Sequence, residues 1–215
     1  MITVPEAADT IIKRSRYLSE AISKGFINNS SLARYIKPEI EEMLTKEISI
    51  SSIIMALIRL QKNIKPQSKY KNIFENKPTI IIRSNLFEIN FTNSKTLEAK
   101  YSHILSLNEE RKFFLTFSKG ISESTIIASN EIANQIKTIT KSEKMISELN
   151  KLSSITINLP NQAISSPGAL YFFLKSLAWE SVNIVEIVST LSEFTLILED
   201  KNVGKAFSII KSLFN

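Results

Sequence analysis

The sequence contains one histidine, His103, and no cysteine. A Ser-His-Asp relay would have to run through His103, and no Gly-x-Ser-x-Gly turn accompanies it. Cysteine nucleophiles, thiolate metal sites and disulfides are excluded outright. No set of His, Asp and Glu has metal-ligand spacing. The adjacent pairs Glu41-Glu42 and Glu109-Glu110 point apart on a helix or turn and read as solvated charges. The glycines, at 25, 120, 168 and 204, are too scattered to cradle a phosphate. No catalytic residue, metal site or cofactor is expected.

A binding geometry is better supplied. Pro167-Gly168 stands where a strand turns into an apolar helix. Proline pre-sets φ for a first helical turn, and glycine lets a ligand approach the backbone. The start of a helix presents N–H groups and partial positive charge, which suit a carboxylate. The next strand brings Asn183 at its start and Ser189, Thr190, Ser192 and Glu193 at its end. A carboxylate beside hydroxyls suits an ammonium group, so these elements could hold a free amino acid. A plainer alternative stays open: Pro-Gly only starts a helix, and Ser-Glu only makes a hairpin turn.

The elements that would position these groups follow from periodicity and from a repeat. Strands are expected at Ile155–Leu159, Asn183–Val188 and Phe194–Leu198, with helices through Trp179 and from about Val203. Seventy residues upstream, Ile121-Ser122-Glu123-Ser124-Thr125-Ile126-Ile127 lies over Leu191-Ser192-Glu193-Phe194-Thr195-Leu196-Ile197. The upstream copy is read as strands from Leu86, Phe113 and Thr125, a helix around Leu97–Leu107, and a second helix over Glu131–Leu152. Both copies run β-α-β-β-α, the order of a ferredoxin-like sheet with helices on one face. A spare run, Thr79–Ile82, could complete the second sheet and interlock the copies.

The first 64 residues read as helical: one helix ending near Gly25, Leu32–Ile36 capped by Asn29-Ser30, a break at Lys37-Pro38, and two more. That outline resembles a helix-turn-helix unit. Arg34, Ser51, Ser52, Arg59, Lys62 and Lys65 are the residues it would turn toward DNA. The net charge of +6 is concentrated elsewhere. Residues 1–58 balance 7 basic against 7 acidic side chains, whereas residues 59–78 hold 6 against 1. The basic excess therefore falls on a Pro-bounded linker, 65–78, and not on the helices. The chain start shows no signal peptide, and the longest apolar run, Ile53–Ile58, is too short for a bilayer. A cytoplasmic location without membrane contact is expected.

The stretch Ser165–Leu198, with its Pro-Gly helix start, Asn-Ile strand and Ser-Glu before the last strand, resembles an ACT domain of the aspartokinase type. The resemblance implies a regulatory module that binds an amino acid. It implies site residues in the loop Asn161–Ala169 (Asn161, Ser166, Pro167, Gly168, Ala169), at Asn183 and Val185, and at Ser189, Ser192 and Glu193. The upstream copy has Leu97-Glu98 where Pro-Gly is expected, so it is read as structural. No lysine- and glycine-rich kinase segment is present. The expected organisation is a helical domain over 1–64, a linker over 65–78, a degenerate ACT-like module over 79–152 and an ACT module over 153–215. The implied protein is a non-enzymatic, dimeric amino-acid sensor whose helical unit meets DNA or another protein. A regulatory subunit serving a biosynthetic enzyme without DNA is the alternative.

Overall fold

A computed structural model describes residues 2–63, 73–74, 77–110 and 112–214. The chain divides into two units, Met1–Lys69 and Tyr70–Asn215.

Among its described residues the first unit has four helices: α1 (Val4–Arg14), α2 (Arg16–Ser23), α3 (Asn29–Leu44) and α4 (Ile50–Asn63). Glu6 secures the start of α1 by accepting from the Thr3 N–H at 2.8 Å. Ser15 ends α1 and opens α2, where its Oγ accepts from the Leu18 N–H. Asn28 caps α3, one residue before the expected cap, and accepts from Ser30 and Ser31. The expected break at Lys37-Pro38 does not occur, and α3 runs through Pro38. Pro38 removes only the bond to the Arg34 carbonyl. Both residues are exposed, so water can replace that bond, while buried Ile36 and Ile40 hold the helix on either side. Ala7, Ala8, Ile11 and Ile12 of α1 meet Ile22, Leu32, Ala33, Ile36, Ile53 and Leu57 in one apolar core.

The second unit is a six-stranded antiparallel sheet with the order β2-β3-β1-β4-β6-β5. Its elements are β1 (Ile80–Thr92), α5 (Lys95–Ser106), β2 (Leu115–Lys119), β3 (Glu123–Ser129) and, after a 3₁₀ turn at Asn130–Ile132, α6 (Ala133–Ile139). Then come β4 (Met145–Asn158), α7 (Asn161–Ile164), α8 (Ala169–Trp179), β5 (Glu186–Ser189), β6 (Glu193–Glu199) and α9 (Asp200–Ser212).

Two long strands join the copies. The first part of β1 pairs Ile80–Arg83 with Ile157–Ser154, and its second part pairs Leu86–Phe91 with Leu152–Met145 and with Ser129–Ser124. The register slips between Arg83 and Leu86, at Asn85, and again between Leu86 and Glu88, opposite Lys151, and both Asn85 and Lys151 have positive φ (61° and 57°). A one-residue bulge exchanges the faces of a strand. It therefore keeps Ile80 before the slip, and Phe87, Ile89 and Phe91 after it, on the face that carries the helices. The helix expected over Glu131–Leu152 is consequently corrected. Only Ala133–Ile139 is helical, and Met145–Leu152 is strand, which adds a strand to the β-α-β-β-α order expected of the first copy. On the opposite face Leu86, Ile127, Leu152 and Ile197 form a separate apolar cluster.

The repeat holds in register. The hairpin pair Thr116↔Ile127 recurs as Glu186↔Ile197, with the offset of seventy residues on both strands. Of the expected linker, only 73–74 and 77–78 fall among the described residues. Phe74 is buried there, with its ring 5.2 Å from Phe173 and 5.8 Å from Phe214. That part of the segment is anchored in the second unit's core.

Candidate functional site

In both copies the strand end is tied to the hairpin by the same bond. The Asn93 N–H donates to the Ser122 carbonyl at 2.9 Å, and the Leu159 N–H donates to the Ser192 carbonyl at 2.7 Å. The hairpin closes alike too, through Gly120 N–H to Glu123 O and Thr190 N–H to Glu193 O. These bonds fix the equivalence of the copies better than sequence does. Ser94, directly after Asn93, caps α5 and accepts from the Leu97 N–H at 2.9 Å. Gly168 holds the same place before α8, but eight residues, 160–167, separate it from Leu159. The counterpart of Gly168 is therefore Ser94 and not Leu97-Glu98. Glu98 lies within α5, where it pairs with Lys119 at 2.7 Å.

Those eight residues open a cavity. They form the one-turn α7 and then a turn in which the Ala169 N–H donates to the Ser166 carbonyl at 3.2 Å. Gly168 sits at φ 84° and ψ 10°, the third position of a type II turn, with proline at the second. Glycine is required there because other residues avoid positive φ. The cavity, about 390 Å³, lies between this segment and the β5–β6 turn. Ser166, Gly168 and Ala169 line it from one side of the sequence, and Ser189, Thr190 and Leu191 from the other. Leu159, Ala163, Ile164 and Leu170 complete the wall. In the first copy Asn93 fills the corresponding corner, its amide donating to the carbonyls of Gly120 and Ile121 at 2.9 and 3.1 Å.

The expected site residues thus separate. Ser166, Gly168, Ala169 and Ser189 come together, whereas Asn161 and Pro167 are exposed beside the cavity without lining it. Asn183 and Val185 line a different cavity, of about 650 Å³, with Leu149–Leu152 and Glu199–Lys201. They precede β5, while Ser189 ends it, so the length of that strand parts the two groups. Ser192 and Glu193 are exposed, and both contribute backbone carbonyls to the hairpin bonds. Ala163 and Ile164 fall in the expected loop and Leu191 in the expected turn, whereas Leu159 and Leu170, which sequence reasoning missed, look like ordinary core residues and give no separate signal.

The other candidates are placed as follows. Arg34, Ser51, Ser52, Arg59 and Lys62 are all exposed, and Lys65 lies outside the described residues. Ser52, Arg59 and Lys62 share a stripe of α4 with exposed Met55. The hydroxyls of Ser51 and Ser52 are engaged with Ser49 at 3.0 and 2.8 Å. Arg14 is paired with Glu39 at 3.2 Å. Glu41 is more than a solvated charge, since it accepts from the Ile48 N–H at 2.8 Å and meets Lys37 at 3.2 Å. His103 is exposed on α5. Among the described residues, no group of three or more acidic or histidine side chains could hold a metal, and no helix is long and apolar enough to cross a membrane.

Comparison with known proteins places the fold. No family model and no curated protein matches the sequence. The fold is similar to aspartate kinase regulatory regions. The regulatory subunit of aspartate kinase from Thermus flavus matches with a TM-score of 0.51 and 12% identity, over 63% of this chain and 97% of that one. The ligand-free regulatory subunit from Thermus thermophilus gives 0.50 and 13%, again over 63% and 97%. Clostridium acetobutylicum aspartate kinase, described as an allosteric enzyme, gives 0.53 and 18%, over 63% of this chain and 34% of its own. This chain thus spans about a third of that kinase but nearly all of either Thermus subunit.

Proposed function

We propose that this chain is a non-catalytic regulatory protein that binds a free amino acid in the cavity between residues 160–168 and the β5–β6 turn. We read the second unit as two ferredoxin-like ACT modules that exchange strands, with order β2-β3-β1-β4 in one and β1-β4-β6-β5 in the other. The observation that carries the proposal is the eight-residue segment, which makes a cavity in one module where Asn93 closes the same corner in the other. The similarity to aspartate kinase regulatory subunits supports the same reading.

Binding would act by preference. A ligand shifts an equilibrium between two arrangements only by its difference in affinity for them. Here the arrangements would be those of paired chains, with the helical unit as the output and the cytoplasm as the setting. Two outputs are carried forward. Exposed Arg59 and Lys62 on α4 favour DNA, and the near-complete coverage of free-standing regulatory subunits favours an enzyme partner.

The deciding experiment is a thermal-shift screen of the purified chain against all twenty amino acids. At least one should raise the melting temperature, and a flat response across the set sinks the sensing claim. Electrophoresis with random duplex DNA separates the outputs. Retardation that fades steeply with salt supports a DNA partner, and no retardation at low salt leaves the enzyme partner.

A further inference from the structure

We infer that the cavity selects an amino acid with an aliphatic side chain of leucine or isoleucine size. This inference rests on the sensing reading and names its ligand. None of the side chains lining the cavity is ionisable. Leu159, Ala163, Ile164, Leu170 and Leu191 supply its apolar wall.

The polar groups are three hydroxyls, and two already spend their protons internally. Ser166 Oγ donates to the Gln162 carbonyl at 2.6 Å, and Ser189 Oγ donates to the carbonyls of Thr190 and Glu193 at 3.2 and 3.3 Å. Thr190 Oγ1 accepts from the Glu193 N–H at 3.2 Å and keeps its own O–H to donate. That hydroxyl and the backbone of the two turns can meet the α-carboxylate and α-ammonium common to every amino acid. Nothing there can meet a second charge. A lysine ammonium or an aspartate carboxylate would enter an apolar wall without a counter-ion, and burying an unpaired charge is costly. At about 390 Å³ the space lies within the usual range for small-molecule sites and holds a branched four-carbon side chain. Glu193 does not line the cavity.

Calorimetric titration of the full chain with leucine, isoleucine, alanine, lysine, threonine and aspartate tests the assignment. Leucine or isoleucine should bind at least about tenfold more tightly than alanine, the usual worth of added methylenes in an apolar pocket. Lysine and aspartate should give no heat of binding. Ile164→Glu, at a half-exposed position, should abolish the leucine response and admit lysine by adding the missing counter-charge. Leu191→Glu, on an exposed turn, makes the same test if the first variant is unstable. Lysine, threonine or aspartate binding more tightly than leucine overturns the aliphatic assignment and leaves the sensing claim standing. No binding by any amino acid overturns both.

Discussion

Two glutamates in the first copy have opposite acid chemistry. Glu143, near the start of α5, accepts from Lys100 Nζ, Ser94 Oγ and Thr96 Oγ1, and these partners hold its carboxyl at about 2. A depressed folded value means stability that is present above the ordinary value of 4.5 and lost as pH falls toward 2. Glu143→Gln should cost about 1.5–3 kcal/mol at neutral pH, the worth of charged hydrogen bonds. It should also flatten acid unfolding in that window, as read by circular dichroism during pH titration. Glu88 behaves the other way. Burial pushes its carboxyl up and the Glu186 charge adds to that, while the Asn90 amide opposes them. Its Oε2 is buried without a hydrogen-bond partner. Its contribution is therefore fully present in acid and declines as pH rises above 4.5. Glu88→Gln should raise the melting temperature at pH 7 and leave it unchanged at pH 4.

At the scale of elements, the joint before α8 is the informative one. Gly168→Ala should cost about 1–3 kcal/mol, because an L side chain must enter the left-handed region. Gly204 is the control. It lies inside α9, and a Cβ added there would meet no atom within 4 Å, so Gly204→Ala should stabilise by about 0.5–1 kcal/mol. Chemical denaturation of both variants separates strain from helix propensity. Excising residues 160–167, with Leu159→Asn to copy the first module, should preserve the far-ultraviolet spectrum and erase every amino-acid response. The sequence announced this joint through Pro167-Gly168, and the seventy-residue repeat announced the hairpins, because both depend on local chemistry. Two other joints were illegible. Ile146 and Leu149 fit helical spacing, yet they are exposed positions on a strand whose state is decided by pairing with β1. Pro38 signals a break, yet buried neighbours on both sides overrule it. The sequence did set Asn183 at the start of a strand and Ser189 at its end, but residue types do not reveal that the two ends open on different cavities.

On the scale of the molecule, each apolar cluster among the described residues belongs to a single unit. One joins α1 to α4, and the rest lie within residues 73–214. Residues 70–215 expressed alone should therefore fold and keep the amino-acid response of the full chain, as measured by the shift in melting temperature. Loss of the response in this fragment would move the site's support into the first unit. Within the sheet no such division is available. The opening residues of β1 pair with the end of β4, and the remainder of β1 pairs with the beginning of β4. Any cut between the copies leaves each without a strand that the other holds. The smallest portable piece of this architecture is therefore the pair, and a fusion or graft should transfer both copies or neither.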